Sequence, residues 1–318
     1  MNENEGKAMK KILMIGTGGT IASVPTEDGL VPETTGEELF GTVPEVRKIC
    51  EVDCIEVFSL DSANAEPAHW IEIAEMIRAN YDKYDGFVIT HGTDTLAYTA
   101  AGLSYLIQNS PKSIVLTGSQ IAMGNSGSDV QQNLIDSFTY ACDDNSCGVQ
   151  IVFAGIVIEG TRARKNYSKR LEAFESINGP DIAGIHEDRI TRYITQDNSG
   201  PVRFYNRLNP NVGLVKLVPG MRGDVLRFMI DAHDGVVIEG YGVGNIPEYN
   251  GFTDIIRDAA ARGKRIIVST QVPNEGTDMN VYRVGRTIKE IEGIEEAREM
   301  TPETAVVRLM WEMANKEG

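Results

Sequence analysis

Short, densely apolar runs recur along this chain, separated by segments of helical period, and that alternation limits the possible folds more than any other feature. Residues 11–15 (KILMI), 86–90 (GFVIT), 113–116 (SIVL) and 150–153 (QIVF) are too short and too uniformly apolar to present a wet face. Strands buried on both faces need cover on both sides, which the crossover helices of a parallel sheet supply. Between the runs, Trp70, Ile73, Ala74 and Ile77 recur at helical spacing, with Glu72 and Glu75 available for solvent. A second helical stretch reads over about Ala97–Gln108. The rhythm pauses in a polar stretch from about Glu187 to Asn209, then resumes in 213–218 (GLVKLV), 235–238 (GVVI) and 265–269 (RIIVS). A chain of 318 residues is long enough for two cores. The expected fold is α/β with two domains: a larger N-terminal parallel-sheet domain over 10–190, a linker over 191–211, and a smaller C-terminal α/β domain over 212–318. No internal repeat or low-complexity tract is visible.

Charge narrows the partners. A formal net charge of −16 would repel a nucleic-acid backbone. No apolar stretch is long enough to cross a bilayer, and the start, Met1-Asn-Glu-Asn-Glu, is acidic where a signal peptide would be basic. We expect a cytoplasmic protein. The cysteines form a C-x3-C pair (Cys50, Cys54) and a C-x4-C pair (Cys142, Cys147), neither with a histidine nearby. Reduced thiols are expected rather than a metal site.

In open parallel sheets, ligands bind beyond the carboxyl ends of the strands. Four loops are expected there: Gly16–Thr20, Phe58–Ser62, His91–Thr95 and Thr117–Gln120. Their glycines let backbone approach a ligand, and their hydroxyls and carboxylates offer polar contacts. The first loop is no dinucleotide fingerprint, because Ile21 stands where a third glycine belongs; nor is it a P-loop, because Thr20 follows Gly19 where lysine would. A threonine hydroxyl becomes a nucleophile only when something takes its proton. Thr93 beside Asp94 offers a second hydroxyl and a carboxylate, and Lys165 follows the fourth strand; a Thr–Lys–Asp relay can run acyl chemistry without histidine.

Simpler readings compete for each of these residues. Thr20 could cap the turn after the first strand, and Thr93 with Asp94 could be a turn and cap before the helix. Lys165 lies in a basic run with Arg162, Arg164 and Lys169, which ordinarily forms a solvated face. Asp61 and Ser62 suit an Asx-type turn. His91 is expected to be structural, and His69, His186 and His233 have no evident partners.

GTGGTIAS at the first loop, VITHGTDT, TGSQ with Ser128, Asp129 and Asn133 downstream, AFESING and EGYGVGNIP together resemble the bacterial and archaeal type I asparaginases, from about residue 10 onward. The resemblance implies an amidohydrolase that converts L-asparagine, and possibly L-glutamine, to the acid and ammonia without metal or organic cofactor. It implies that Thr20 is the nucleophile, and that Thr93, Lys165 and Asp94 form the supporting triad. Asp94 would also hold the substrate's α-ammonium, with Asp61, Ser62 and Gly92 among the substrate-binding residues. Members of the family build the site against a partner's C-terminal domain, so a homodimer or homotetramer is implied. Tyr241–Asn245 is read as a chain turn, with Asn245 a weaker candidate for the partner's site. One departure stands out: Leu30 occupies the place where family members carry a tyrosine on the loop after the nucleophile. Two alternatives follow. A glutaminase subunit of a tRNA-dependent amidotransferase would carry an added N-terminal domain, whereas about ten residues precede the first strand here, and the acidity suits tRNA poorly. A catalytically silent amino-acid sensor is suggested by Leu30.

Overall fold

The computed structural model describes residues 9–26, 29–32, 34–196 and 200–315, with backbone alone for 24–26 and 29–32. The chain forms two compact units. The first takes residues up to Ser176 together with Pro180–Asn206; the second takes Ile177–Gly179 and the chain from Arg207.

The first unit is built on an eight-stranded sheet. Its strands are β1 (Lys10–Gly18), β2 (Cys50–Leu60), β3 (Gly86–Thr90), β4 (Ser113–Thr117), β5 (Gly148–Phe153), β6 (Ile156–Glu159), β7 (Ala183–His186) and β8 (Arg189–Arg192). Their spatial order is β8-β7-β6-β5-β4-β3-β1-β2. The run from β2 to β5 is parallel. All five residues of β3 and of β4 are buried, as their largely apolar sequences require. Helix α1 (Pro67–Asn80) buries Trp70, Ile73, Ala74 and Ile77, the stripe visible in the sequence. Helices α2 (Leu96–Leu106) and α3 (Val130–Ala141) follow β3 and β4.

Two features of the sheet were not expected. From β5 onward the pairing is antiparallel. The turn between β5 and β6 is Ala154-Gly155, with φ of 49° and 77°, so the chain doubles back in two residues. Such a link leaves no room for a crossover helix. The other feature is β2, an 11-residue edge strand whose side chains after Cys50 are all exposed or half-buried. Its acidic residues hide the strand in a search for apolar runs. The polar stretch after β7 also carries structure: β8 falls within it, and Arg203–Phe204 pairs with Ile107–Gln108 in the first unit.

Strand β1 lies between β2 and β3, so the chain leaves β1 first toward one side of the sheet and then toward the other. At such a switch point the loops diverge and open a crevice at the strands' carboxyl ends.

The second unit has four parallel strands in sequential order: β9 (Val212–Lys216), β10 (Gly235–Gly240), β11 (Arg265–Thr270) and β12 (Ile294–Glu296). Helices α4 (Gly223–Ala232), α5 (Phe252–Ala261) and α6 (Pro302–Asn315) accompany them. Leu226, Ile230, Ile238, Phe252, Ile256 and Val268 form part of its core. Among the described residues, no helix is long and apolar enough to cross a membrane.

Candidate active site

Three chain segments meet at the switch point with almost no side chain between them. Gly19, with φ of 80°, leaves β1 so close to the third loop that a Cβ on it would lie 2.3 Å from the Gly92 N and Cα. A Cβ on Gly92 would in turn lie 2.5 Å from Ser62 Oγ. Only glycine permits this packing at either position. Two hydrogen bonds hold the segments together: Gly19 N–H donates to Leu60 O at 3.0 Å, and Thr95 Oγ1 donates to Ser62 O at 2.7 Å. Thr20 opens a single 3-10 turn, Thr20–Ala22, for which Gly19 occupies the cap position. The threonine is therefore not the cap. Ser23, one turn on, donates to Gly19 O at 2.7 Å. A pocket of about 70 Å³ results, lined by Gly19, Thr20, Ser23, Asp61, Ser62, Gly92, Thr93 and Asp94. Ser23 was not among the expected residues; its i+3 spacing from Thr20 was the available signal.

Lys165 reaches this group from a different part of the chain. It ends the short strand Ala163–Lys165, which pairs antiparallel with Phe174–Ser176. Its Nζ donates to Thr93 Oγ1 and to Asp94 Oδ1, each at 2.7 Å. The lysine side chain is 17% exposed, against 64% for Asp94. Lys165 thus leaves the solvated basic run that its neighbours suggested and turns inward. Thr93 is buried and donates onward to Gln120 Oε1 at 3.1 Å. The fold therefore brings Thr20, Thr93, Asp94, Asp61, Ser62 and Gly92 to one pocket, with Lys165 joined to it through Thr93 and Asp94.

The fourth loop is anchored from behind. Asp129 accepts from the backbone N–H groups of Gln120 at 3.0 Å and Ile121 at 3.0 Å. Asn133 donates to Gly118 O and to Asp129 Oδ2, both at 3.0 Å. Asp61 behaves as the simpler reading held, its Oδ1 accepting from Ala63 N–H at 2.9 Å as the cap of a short turn. Thr95, rather than Thr93 or Asp94, occupies the cap position of α2, and its hydroxyl serves Ser62 instead.

His91 is fully buried, and burial pushes its imidazole down to about 4. It is neutral at pH 7. Its Nδ1 lies 2.7 Å from Gly92 O and its Nε2 3.0 Å from Thr99 Oγ1. A carbonyl can only accept, so Nδ1 carries the proton and Nε2 accepts from the threonine. Two other histidines have partners that the sequence did not suggest: His69 Nδ1 accepts from Glu66 N–H at 2.9 Å, and His233 Nδ1 lies 2.7 Å from Met229 O. Leu30 pairs through its backbone with Pro25 in the hairpin after Thr20, but its side chain lies outside the described residues. All four cysteines are free thiols. Among the described residues, no three His, Cys, Asp or Glu side chains gather as a metal site.

An amine held between a buried hydroxyl and a carboxylate can move a proton at that hydroxyl, and a second hydroxyl lines the same pocket. This arrangement suits acyl transfer from an amide. Residues 11–197 match the family described as Asparaginase, N-terminal, and residues 211–318 match the Glutaminase/Asparaginase C-terminal domain. The chain belongs to the asparaginase family. It is 38% identical over 309 residues to the L-asparaginase of Thermococcus kodakarensis, spanning 96% of this chain and 93% of that one. It is 37% identical over 320 residues to a glutamyl-tRNA(Gln) amidotransferase subunit from Pyrococcus furiosus, spanning 96% of this chain and 72% of that protein. The solved structure of the thermostable L-asparaginase from Thermococcus kodakarensis matches with a TM-score of 0.89 at 36% identity, covering 96% of this chain and 93% of that one. This member of the asparaginase family is therefore an amidohydrolase of asparaginase/glutaminase type, with both domains of the family present.

Proposed function

We propose that the chain hydrolyses L-asparagine to L-aspartate and ammonia through an acyl-threonine intermediate. The observation that carries this reading is the Lys165 amine, bonded at 2.7 Å to both Thr93 and Asp94, beside a pocket that Thr20 also lines. Similarity to an L-asparaginase at 38% identity supports asparagine as the substrate.

In this reading Thr20 Oγ1 adds to the side-chain carbonyl carbon of asparagine. The carbon–nitrogen bond breaks, the nitrogen takes up the proton given up by the Thr20 hydroxyl and leaves as ammonia, and an ester to Thr20 remains. Water then attacks that ester; its proton passes by way of the Thr93–Lys165 pair to Thr20 Oγ1 as the bond between that oxygen and the acyl carbon breaks, and aspartate is released. Asp94 keeps the amine in place and pairs with the substrate's α-ammonium, while Asp61, Ser62 and Gly92 receive the amino-acid end. The chemistry as written uses no cofactor. The reading includes a homodimer or homotetramer, to be measured by sedimentation, and a cytoplasmic location, which the four free thiols support.

Ammonia release from asparagine and from glutamine, by wild type and by Thr20→Ala and Thr93→Ala, tests the proposal. Release by wild type alone, lost in both variants, is expected. Release that survives both substitutions would overturn the mechanism. The similarity to a tRNA-dependent amidotransferase component favours a second reading, a glutaminase that serves tRNA-dependent amidation. Turnover of free asparagine by the chain alone, with neither tRNA nor any other polypeptide present, decides for the first. Asparagine binding with no ammonia release would instead indicate an amino-acid sensor.

A further inference from the structure

The TGSQ segment contributes a side chain that no expected role accounts for. Gln120 Oε1 accepts from Thr93 Oγ1 at 3.1 Å, and Gln120 Nε2 donates to Arg170 O at 3.0 Å. The second bond fixes the first, because a carbonyl accepts only and so requires the nitrogen of the amide on its side. The Gln120 backbone N–H is held by both oxygens of Asp129, at 3.0 and 3.1 Å, so the side chain grows from a fixed point. Arg170 lies in the connection between the strands Ala163–Lys165 and Phe174–Ser176. Gln120 thus bridges Thr93 to the hairpin that delivers Lys165.

We propose that Gln120 is a positioning residue for Thr93, whose carbonyl draws the hydroxyl proton away from Lys165 and so favours the lysine in its charged form. The inference rests on the site reading above. An ammonium has only donors, so a Thr93 oxygen that accepts from Lys165 must send its own single proton elsewhere. Gln120 Oε1 receives it. The result is a one-way chain, Lys165 to Thr93 to Gln120, in which each bond polarises the next. Once Lys165 gives up its proton, its lone pair becomes an acceptor. Thr93 then turns its hydroxyl toward the amine, and Gln120 loses its donor. The Thr93–Gln120 bond therefore belongs to the protonated state and stabilises it relative to the neutral amine that acts as base.

Asp94 contacts the lysine from the third loop; Asp61 lines the adjoining pocket, Asp129 stands behind Gln120, and Arg164, Lys169, Arg170, Glu172 and Glu175 lie along the lysine's own hairpin. All of these charges remain when Gln120 alone is changed; both substitutions also lose the Nε2 bond to Arg170 O, so only effects of opposite sign in the two variants isolate the acceptor.

The test is the pH dependence of kcat/KM for ammonia release by Gln120→Met and Gln120→Glu. Methionine keeps the length and removes the carbonyl acceptor together with the Nε2 donor to Arg170 O; glutamate keeps the shape and makes the acceptor anionic, and its second oxygen, an acceptor only, must turn away from the Arg170 carbonyl. The rising acid limb is expected to move down by about half a unit to one unit in Gln120→Met, and up by at least as much in Gln120→Glu. Opposite displacements cannot come from loosened packing, which would move both variants alike. Limbs that stay put, or that move the same way, overturn the proposal. If Gln120→Met does not fold, a limb that fails to rise in Gln120→Glu is still the negative result. Lys165→Met and Thr93→Ala complete the set. If those two retain wild-type release, the site reading fails and takes this inference with it. If they lose release while the Gln120 limbs do not move, the Gln120 assignment alone falls.

Discussion

Lys165 and Thr93 stand 72 positions apart in the chain, yet the amine of one lies 2.7 Å from the hydroxyl of the other. That contact separates catalysis from stability. Replacing Lys165 with Met keeps the length of the side chain and removes the amine that we propose carries the proton. The expected loss in kcat is about 10²–10⁴-fold, the usual contribution of a positioned acid–base group. Stability should change by less than about 1 kcal/mol, because the Asp94 left behind is 64% exposed and can be hydrated. Steady-state kinetics and urea denaturation on the same preparation check both halves. A variant that retains full turnover would remove Lys165 from the mechanism.

Gly92→Ala should damage both fold and activity. The new methyl group would lie 2.5 Å from Ser62 Oγ, and Gly19 backbone closes the space beyond at 3.2 Å. Overpacking of this kind costs about 1–3 kcal/mol. Gly41→Ala is the control: nothing lies within 4 Å of a Cβ there, and the position closes a short helix. That substitution should be neutral or stabilising by up to about 1 kcal/mol. Thermal melts of the two variants should move apart.

His91 makes stability depend on acid pH in a definite direction. Burial lowers its folded-state pKa from 6.5 to about 4, so between those values the unfolded chain binds more protons than the native one. Its contribution is complete above about pH 6.5 and is lost progressively as pH falls toward 4, amounting to about 3 kcal/mol over the window. His91→Asn, which cannot titrate, should flatten the slope of unfolding free energy against pH in that range by about 1.4 kcal/mol per unit. Denaturation curves collected from pH 4 to 8 test this, and an unchanged slope would refute it.

Asn133 supports the fourth loop from inside α3. Its amide donates to Gly118 O and Asp129 Oδ2, and its Oδ1 accepts from Ala154 N–H at 2.9 Å. Asn133→Ala strands these buried groups and should cost about 2–4 kcal/mol. Because Gln120 hangs from the same loop, kcat should fall more than KM rises. A variant with wild-type melting temperature would show that water replaces the amide.

The alternation of KILMI, GFVIT and SIVL with helical stretches was enough to predict α/β architecture in two domains, because burial of uniformly apolar strands is a local demand that each run states for itself. The glycine-flanked threonines declared themselves in the same way, since tight turns at strand ends need particular residue types. Other features carried no such local mark. The edge strand β2 was hidden by its own acidic residues, and the antiparallel half of the sheet follows from a two-residue turn at Ala154-Gly155. Lys165 could be told from the lysine and arginines around it only through resemblance to a family, and Gln120 was legible only as part of the fourth loop. A side chain's partner depends on which strands become neighbours, and that is decided by the packing of the whole sheet. Composition at one position specifies what a residue can donate or accept; only the tertiary structure brings it within 3 Å of something to donate to.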